Sequence, residues 1–365
     1  MKDRIELVGL DVGTTTVRGL RVSARRVVNA TTGFPEISEA RVELRLPTQL
    51  TPFVGDDLDV PRLLEAISAW PGLEADGGGV LLTGLAARAR SARVVADLLR
   101  ARAGDGVVLT AADPRLEAWV AFMARAQAVS RARPDCLVVN LDIGGGTTNV
   151  AWGRDGAVVR TASLYVGARH VRLARGTRCV EAVSAEVAGL AGEAGLSLRQ
   201  GEVLEDAAAA RLVQLQVEAL EELVVTGACA RRPWLVQSEP RGEAGSGEVV
   251  ITLTGGVGEL FAALRAGHEP AFDDLGPELA RALLASSVLG RARVDEGDAG
   301  LATVWGLTLH ATSLSGSTVF VPRADLLPRR DLPIVARVPA RAARAAWAAA
   351  LDLARLGDGG GAVVV

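Results

Sequence analysis

Residues 7–16 read LVGLDVGTTT and residues 138–148 read VVNLDIGGGTT. Each has an apolar run, then an aspartate, then a glycine-bearing turn, then threonines. A short apolar run bounded by glycine reads as a buried strand entering a tight turn, with the carboxylate at the strand end. One such segment is weak evidence, because Asp-x-Gly also makes ordinary hairpins. Two of them, about 130 residues apart, read as a duplicated unit built on the same strand–turn–strand hairpin.

The chemistry of the pair is specific. A glycine has no Cβ, so its backbone can approach an anion closely and turn successive N–H groups toward it. Gly13 in the first hairpin and Gly144, Gly145 and Gly146 in the second therefore suit phosphate, with hydroxyl donors from Thr14, Thr15, Thr147 and Thr148. Asp11 and Asp142 cannot sit against phosphate without a cation between. Two carboxylates with phosphate oxygens and water form the hard oxygen set that Mg²⁺ prefers. The expectation is a metal–nucleotide site between two lobes, gripped by one hairpin from each.

Composition narrows the class. The 365 residues suggest two domains or one large bilobal one. A hydrophobic content of 49% supplies a core, but with aromatics at 4% that core must be built from Val, Leu and Ala. A net charge of −3 argues against nucleic acid or an anionic membrane as partner. Lys2 is the only lysine, which excludes a P-loop lysine and Schiff-base chemistry on an internal lysine. Cys136, Cys179 and Cys229 lack metal-ligand spacing and are odd in number, and His170, His268 and His310 are scattered. A reduced, cytoplasmic protein without structural zinc is expected, its cysteines serving as buried apolar residues. The charged N-terminus leaves no room for a signal peptide, and the apolar stretches are too interrupted for a transmembrane helix.

Along the chain, the first hairpin returns through residues 17–22 and is followed by a more polar section. Residues 63–70 are weakly helical in pattern, 80–83 and 107–110 read as buried strands, and 86–103 as an Arg/Ala-rich helix. Asp113 and Pro114 mark a helix start leading through Glu117 to about residue 129. Residues 131–134 are a plausible lobe boundary, giving a first lobe over 1–133, a second over 134–322 and a C-terminal helical segment over 323–365. After the second hairpin come a strand at 158–166, helices at 183–190 and 201–230, and a loop over 231–247. The β-branched strand 249–254 then runs into a turn at Gly255, Gly256 and Gly258, a third ligand-facing candidate, with a helix from 260. Further helices are expected at 275–289 and 340–356, and a small-residue turn region at 306–318. The alternation argues for an α/β, bilobal fold.

At these residues the chain resembles the superfamily of ATPases that includes actin, heat-shock chaperones and sugar kinases. LDVGTTT resembles its first phosphate loop, LDIGGGTT its second and LTGGVG its adenosine loop. More narrowly, ITLTGGVGEL, FDDLGPELARALL, ATVWGLTLHATSLSGSTVFV and DLPIV are similar to the ethanolamine ammonia-lyase reactivating factor family, over about residues 5–360. The resemblance implies a bilobal actin-like ATPase fold, two ribonuclease-H-like lobes with a nucleotide cleft between them. It implies a chaperone-like reactivase that uses ATP and Mg²⁺ to release damaged cobalamin from adenosylcobalamin-dependent ethanolamine ammonia-lyase, its partner. Asp11 and Asp142 would hold the Mg²⁺ shell. Gly13, Thr14, Thr15, Gly144, Gly145, Gly146 and Thr147 would cradle phosphates, and Gly255, Gly256 and Gly258 would approach adenosine. Glu117 would orient Mg²⁺ or the attacking water, making Glu117 and Asp142 the candidate catalytic pair; an exposed helical glutamate is the plain alternative.

Three departures from the family stand out. Leu85 follows Thr83–Gly84 where the family has an acidic residue, Thr308 replaces a glycine, and the chain is shorter than its relatives, with residues 357–365 reading as an unfinished strand. The residues themselves leave two other readings open: a small-molecule kinase of the same superfamily, for which Asp155 is the available but ill-placed base, and a non-hydrolysing actin-like scaffold.

Overall fold

The computed structural model describes residues 4–13, 16–28, 35–54, 57–70, 75–83, 86, 89–102, 107–110, 114–174, 176–245, 247–270, 274–294, 334–339, 341–355 and 362–364. The chain divides into two compact units, Met1–Leu116 with Thr303–Val365, and Glu117–Ala302.

In the first unit, β1 (Arg4–Val12) and β2 (Thr16–Val28) form the expected hairpin, and β3 (Pro35–Leu50) extends it. The small pair β4 (Phe53–Val54) and β5 (Asp57–Leu58) precedes α1 (Val60–Ser68). Asp59 caps α1 by accepting from the Arg62 N–H at 3.2 Å. Then come β6 (Gly77–Leu82), α2 (Ala92–Arg102) and β7 (Val107–Thr110). The sheet order is β3-β2-β1-β6-β7, with β1 to β3 antiparallel and β6 and β7 parallel to β1. Leu63 and Ile67 of α1 and Val95 of α2 pack with Val8, Leu10, Val12, Val80 and Leu82 of the sheet.

The polar section after the first hairpin is strand, not loop. Val42, Leu44 and Leu46 of β3 alternate with exposed Arg41, Glu43 and Arg45, the period-two pattern of a half-solvated edge. The charges that obscure the strand in sequence are what protect such an edge from pairing with another chain. Glu39 takes up a left-handed φ of 52° beside a register shift in the β2–β3 pairing, which is how a bulge accommodates an extra residue.

In the second unit, α3 (Pro114–Ala121) carries the division after Leu116, and a π-helical turn (Phe122–Ala126) joins it to α4 (Gln127–Ala132). Strands β8 (Leu137–Ile143), β9 (Thr148–Arg154) and β10 (Ala157–Leu164) form an antiparallel meander. The hairpin β11 (Val171–Leu173) and β12 (Val180–Val183) leads to α5 (Ala185–Glu193) and α6 (Asp206–Thr226). Strand β13 (Val236–Gly242) adds to the β10 edge, and β14 (Val249–Thr254) runs parallel to β8, for an order of β13-β10-β9-β8-β14. β13 occupies what reads in sequence as a loop, because Pro240, Gly242 and its charges are tolerated on an edge strand. Helices α7 (Gly255–Arg265) and α8 (Gly276–Ala285) follow. The expected glycine turn at 255–258 is therefore the first turn of α7, which starts five residues earlier than expected.

β15 (Ile334–Arg337) pairs in parallel with β16 (Ala362–Val364), on either side of α9 (Arg344–Ala354). The terminal strand thus has a partner. Leu85, Asp113, Thr308, His310 and the turn region 306–318 lie outside the described residues.

Both sheets share one plan: an antiparallel three-strand meander with a parallel fourth strand beside its first, β3-β2-β1-β6 in one unit and β10-β9-β8-β14 in the other. That is the ribonuclease-H-like order expected of each lobe of an actin-like ATPase fold. The repeated sequence motif is a repeated piece of architecture.

Candidate functional site

The two Asp–Gly turns close in the same way. Gly13 N–H donates to the Thr16 carbonyl at 3.0 Å, and Gly144 N–H to the Thr147 carbonyl at 2.9 Å. In each unit the aspartate also accepts from a threonine at the end of the neighbouring parallel strand. Asp11 Oδ1 receives the Thr83 hydroxyl at 3.3 Å, and Asp142 Oδ1 the Thr254 hydroxyl at 2.8 Å. Both carboxylates are half-buried. In the first turn, Thr51 Oγ1 donates to the Gly13 carbonyl at 2.7 Å; Thr14 and Thr15 lie outside the described residues.

The second turn is pinned from behind. Ala168 and Arg169 N–H groups donate to the Gly144 and Gly145 carbonyls at 3.2 and 2.6 Å. Gly167 lies so close that a Cβ there would stand 2.5 Å from the Gly145 oxygen. Its own N–H donates to Gln216 Oε1 of α6 at 2.9 Å. Gly146 is different: among the described residues, its own chain neighbours aside, no atom lies within 4 Å of where its Cβ would be. Packing does not demand a glycine there, and the open space is a cradle that a side chain would fill. This fits phosphate approaching the backbone. Thr147 is half-buried at the turn, whereas Thr148 is fully buried and donates to the Val166 carbonyl at 2.9 Å. Its hydroxyl belongs to the scaffold, which corrects the expectation of a ligand-facing donor.

Glu117 is not an exposed helical glutamate. It is 9% exposed and accepts from Asn149 Nδ2 at 2.8 Å. Asn149 faces Asp142 across the β8–β9 hairpin, and Ser163 donates to Asn149 Oδ1 at 2.7 Å. The fold thus joins the two candidate catalytic positions through one asparagine. Gly255 has φ 82°, and a Cβ there would meet the Ile143 carbonyl at 2.5 Å. That close approach seats the start of α7 directly on the strand that enters the second turn. Gly256 and Gly258 belong to the first turn of α7, and the Gly256 N–H, at the second helical position, has no intrahelical acceptor.

His170 is a residue that sequence reasoning passed over. It is 6% exposed, and its Nδ1 lies 2.8 Å from Ser184 Oγ, the cap of α5. Burial pushes its pKa below the usual 6.5, against the opposing pull of Glu186 and the Gly146 backbone. Among the described residues Nε2 has no partner in good hydrogen-bond geometry. Asn140, Asn149, Thr83 and Thr254 were likewise not singled out. The only sequence signal was that each adjoins or belongs to a motif: Asn140 and Asn149 the second hairpin, Thr83 the strand end before Gly84, and Thr254 the LTGGVG turn.

Among the described residues no group of three or more His, Cys, Asp or Glu side chains could hold a metal ion unaided. A cation at these turns would need oxygens from phosphate or water as well, the habit of Mg²⁺. Cys136 and Cys229 are buried, Cys179 is partly so, and all three are free thiols. Asp155 has φ 48° in the β9–β10 turn with Gly156, a hairpin role that gives no support to a kinase base. A separate cavity of about 580 Å³ along β14 is lined by Arg133, Val225, Val249, Val288, Arg291 and Arg293, among others, and by none of the turn residues. Among the described residues no helix is long and apolar enough to cross a membrane.

The family model described as ethanolamine utilisation protein EutA matches residues 3–352. The ethanolamine ammonia-lyase reactivase EutA of Escherichia coli strain K12 is 32% identical over 367 residues, covering 94% of this chain and 75% of that protein. Its namesake from Salmonella typhimurium strain LT2 is 34% identical, covering 90% of this chain and 71% of that protein. Among solved structures, the PPX-GPPA enzyme of Aquifex aeolicus is 16% identical, covers 74% of each chain and superposes with a TM-score of 0.41.

Proposed function

The chain belongs to the ethanolamine utilisation protein EutA family, and from that premise we propose that it is an ethanolamine ammonia-lyase reactivase. It binds ATP with Mg²⁺ and promotes release of damaged cobalamin from the lyase, so that intact adenosylcobalamin can rebind. The observation that carries the nucleotide part is the duplicated turn: a strand-end carboxylate, a glycine turn and a threonine-held aspartate recur in both units.

Each residue class has a task. Asp11 and Asp142 accept hydrogen bonds from Mg²⁺-bound water or ligate the ion. Gly13 and Gly144–Gly146 present N–H groups to phosphate oxygens, with Thr14, Thr15 and Thr147 as hydroxyl donors. Gly255, Gly256 and Gly258 allow adenosine to lie on the backbone. Glu117, held by Asn149, orients the attacking water. Mg²⁺ supplies charge neutralisation on the phosphates. Nucleotide acts on the lyase through a difference in affinity for two conformations of this chain, and can shift them no further than that difference allows.

The test is calorimetry of Mg–ATP against the wild type, Asp11→Ala and Asp142→Ala, followed by assay of cobalamin-inactivated lyase with added ATP. Wild-type binding abolished by both substitutions, and lyase activity regained only with binding-competent protein, is expected. A folded wild type that binds no Mg–ATP overturns the nucleotide reading. Binding without any regain of lyase activity overturns the reactivase reading. Stoichiometric phosphorylation of a sugar or polyol establishes the kinase alternative instead.

A further inference from the structure

Thr254 stands at the N-cap of α7, where a threonine ordinarily accepts a hydrogen bond from the helix's own early N–H groups. It makes no such bond. Its hydroxyl donates to Asp142 Oδ1 at 2.8 Å and accepts from Asn140 Nδ2 at 3.2 Å. Asn140 Oδ1 in turn accepts from Thr252 Oγ1 at 2.9 Å. Asn140, Thr252 and Thr254 are 0%, 6% and 2% exposed.

The polarity of this chain is uniform. Thr252 donates to Asn140, Asn140 to Thr254, and Thr254 to the carboxylate. Because the amide hydrogen of Asn140 already points at Thr254 Oγ1, the Thr254 hydroxyl proton is committed to Asp142. Donor chains of one polarity strengthen link by link in a buried setting. Such a chain fixes one carboxylate oxygen and with it the orientation of the whole group. The first unit has a related contact between Thr83 and Asp11, over a longer 3.3 Å and from just past the corresponding parallel strand, two positions beyond Leu81, which faces Asp11. A cap diverted from its helix in one unit, and the same threonine-to-aspartate contact in the other, are more than local packing requires.

We propose that Thr254 and Thr83 are positioning residues, each aiming the strand-end carboxylate of its own unit for divalent cation bound with nucleotide. Thr254 also ties that carboxylate to the glycine turn beginning at the next residue, so the cation end and the adenosine end of the second unit are held by one hydroxyl. The proposal rests on the Mg–nucleotide reading above.

The test uses the full chain carrying Thr254→Val, Thr254→Ser or Thr83→Val, with ATP affinity measured in Mg²⁺ and in EDTA. Groups that orient a metal ligand typically govern metal affinity by roughly 10–100-fold. Thr254→Val should therefore weaken Mg–ATP binding by about that factor, leave ATP binding in EDTA nearly unchanged, and be rescued by Thr254→Ser. Thr83→Val should show a smaller loss of the same kind, its contact being longer. Thr254→Val also leaves Asn140 Nδ2 buried without an acceptor, so thermal melting is recorded for each variant. Thr83→Val, which creates no such orphan among the described residues, keeps the test decisive if Thr254→Val fails to fold. A wild type that binds nothing sinks the underlying nucleotide reading. A wild type that binds while both valine variants match it in Mg²⁺, or lose equally in Mg²⁺ and EDTA, overturns this proposal alone.

Discussion

Asn149 Nδ2 donates to Glu117 Oε2 across 2.8 Å, and Asn149 is itself the residue opposite Asp142 in the β8–β9 hairpin. A buried glutamate held by a neutral amide keeps a defined direction without being neutralised. Glu117→Gln preserves an acceptor for Asn149 and removes only the charge. Its expected outcome is Mg–ATP affinity close to wild type, with hydrolysis reduced by about 10²-fold or more, the range for a positioned acid or base. Calorimetry and phosphate release measured on one preparation check it; unchanged hydrolysis removes Glu117 from the chemistry. Asn149→Leu, which buries the carboxylate beside an apolar group, should lower stability by about 1–3 kcal/mol in urea unfolding.

Two glycines of the same region should respond oppositely in stability. Gly146 has open space where a Cβ would stand, so Gly146→Ala should melt at or slightly above the wild-type temperature, as alanine restricts the unfolded chain. Its Mg–ATP affinity should nevertheless fall, because the methyl group occupies the phosphate's approach. At Gly167 a Cβ would meet the Gly145 carbonyl at 2.5 Å, and backbone cannot retreat cheaply. Gly167→Ala should lose both stability and binding. Equal affinity in Gly146→Ala and wild type would show that the open space faces no ligand.

The His170 ring gives a pH signature. Burial holds its pKa below the usual 6.5, so the folded state resists a proton that the unfolded chain accepts once pH falls through that value. Where the unfolded state binds more protons, stability rises with pH. The contribution is therefore intact above the unfolded value and is lost progressively on acidification toward the lower folded value. Melting temperature should decline from about pH 7 to pH 5.5 in the wild type and decline less steeply in His170→Leu. Parallel slopes would assign the acid sensitivity elsewhere.

Packing supplies a prediction independent of ligand. A Cβ on Gly153 would stand 2.0 Å from Cζ of Phe122, a fully buried ring in the π-helical turn. Gly153→Ala should cost about 1–3 kcal/mol by overpacking, and Phe122→Leu should relieve part of that loss in the double variant. A double-mutant cycle by chemical denaturation measures the coupling; purely additive effects would contradict the contact.

Much of this protein was legible along the chain. The two Asp–Gly hairpins, the third glycine segment after β14, and the α/β alternation all follow from apolar runs and turn residues within a few positions of one another. The β3 and β13 edges were not legible, since half-solvated strands carry charges, and β13 a proline and a glycine, that read as loop. Nor was the start of α7 at Gly255, because three glycines are poor helix formers and the close approach of Gly255 to Ile143 is a tertiary contact.

The sequence alone marks the candidates for that chemistry, Asp11, Asp142 and the glycines beyond them, because strand-end carboxylates and flexible turns are local properties of the chain. How those residues are held depends on contacts between distant parts of the chain. Thr254 reaches Asp142 across 112 positions, Asn149 reaches Glu117 across 32, and Thr83 reaches Asp11 across 72. Those contacts depend on the register of parallel strands and on a helix laid against a hairpin. Register is set by the packing of the whole sheet, so no stretch of sequence a few residues long contains it.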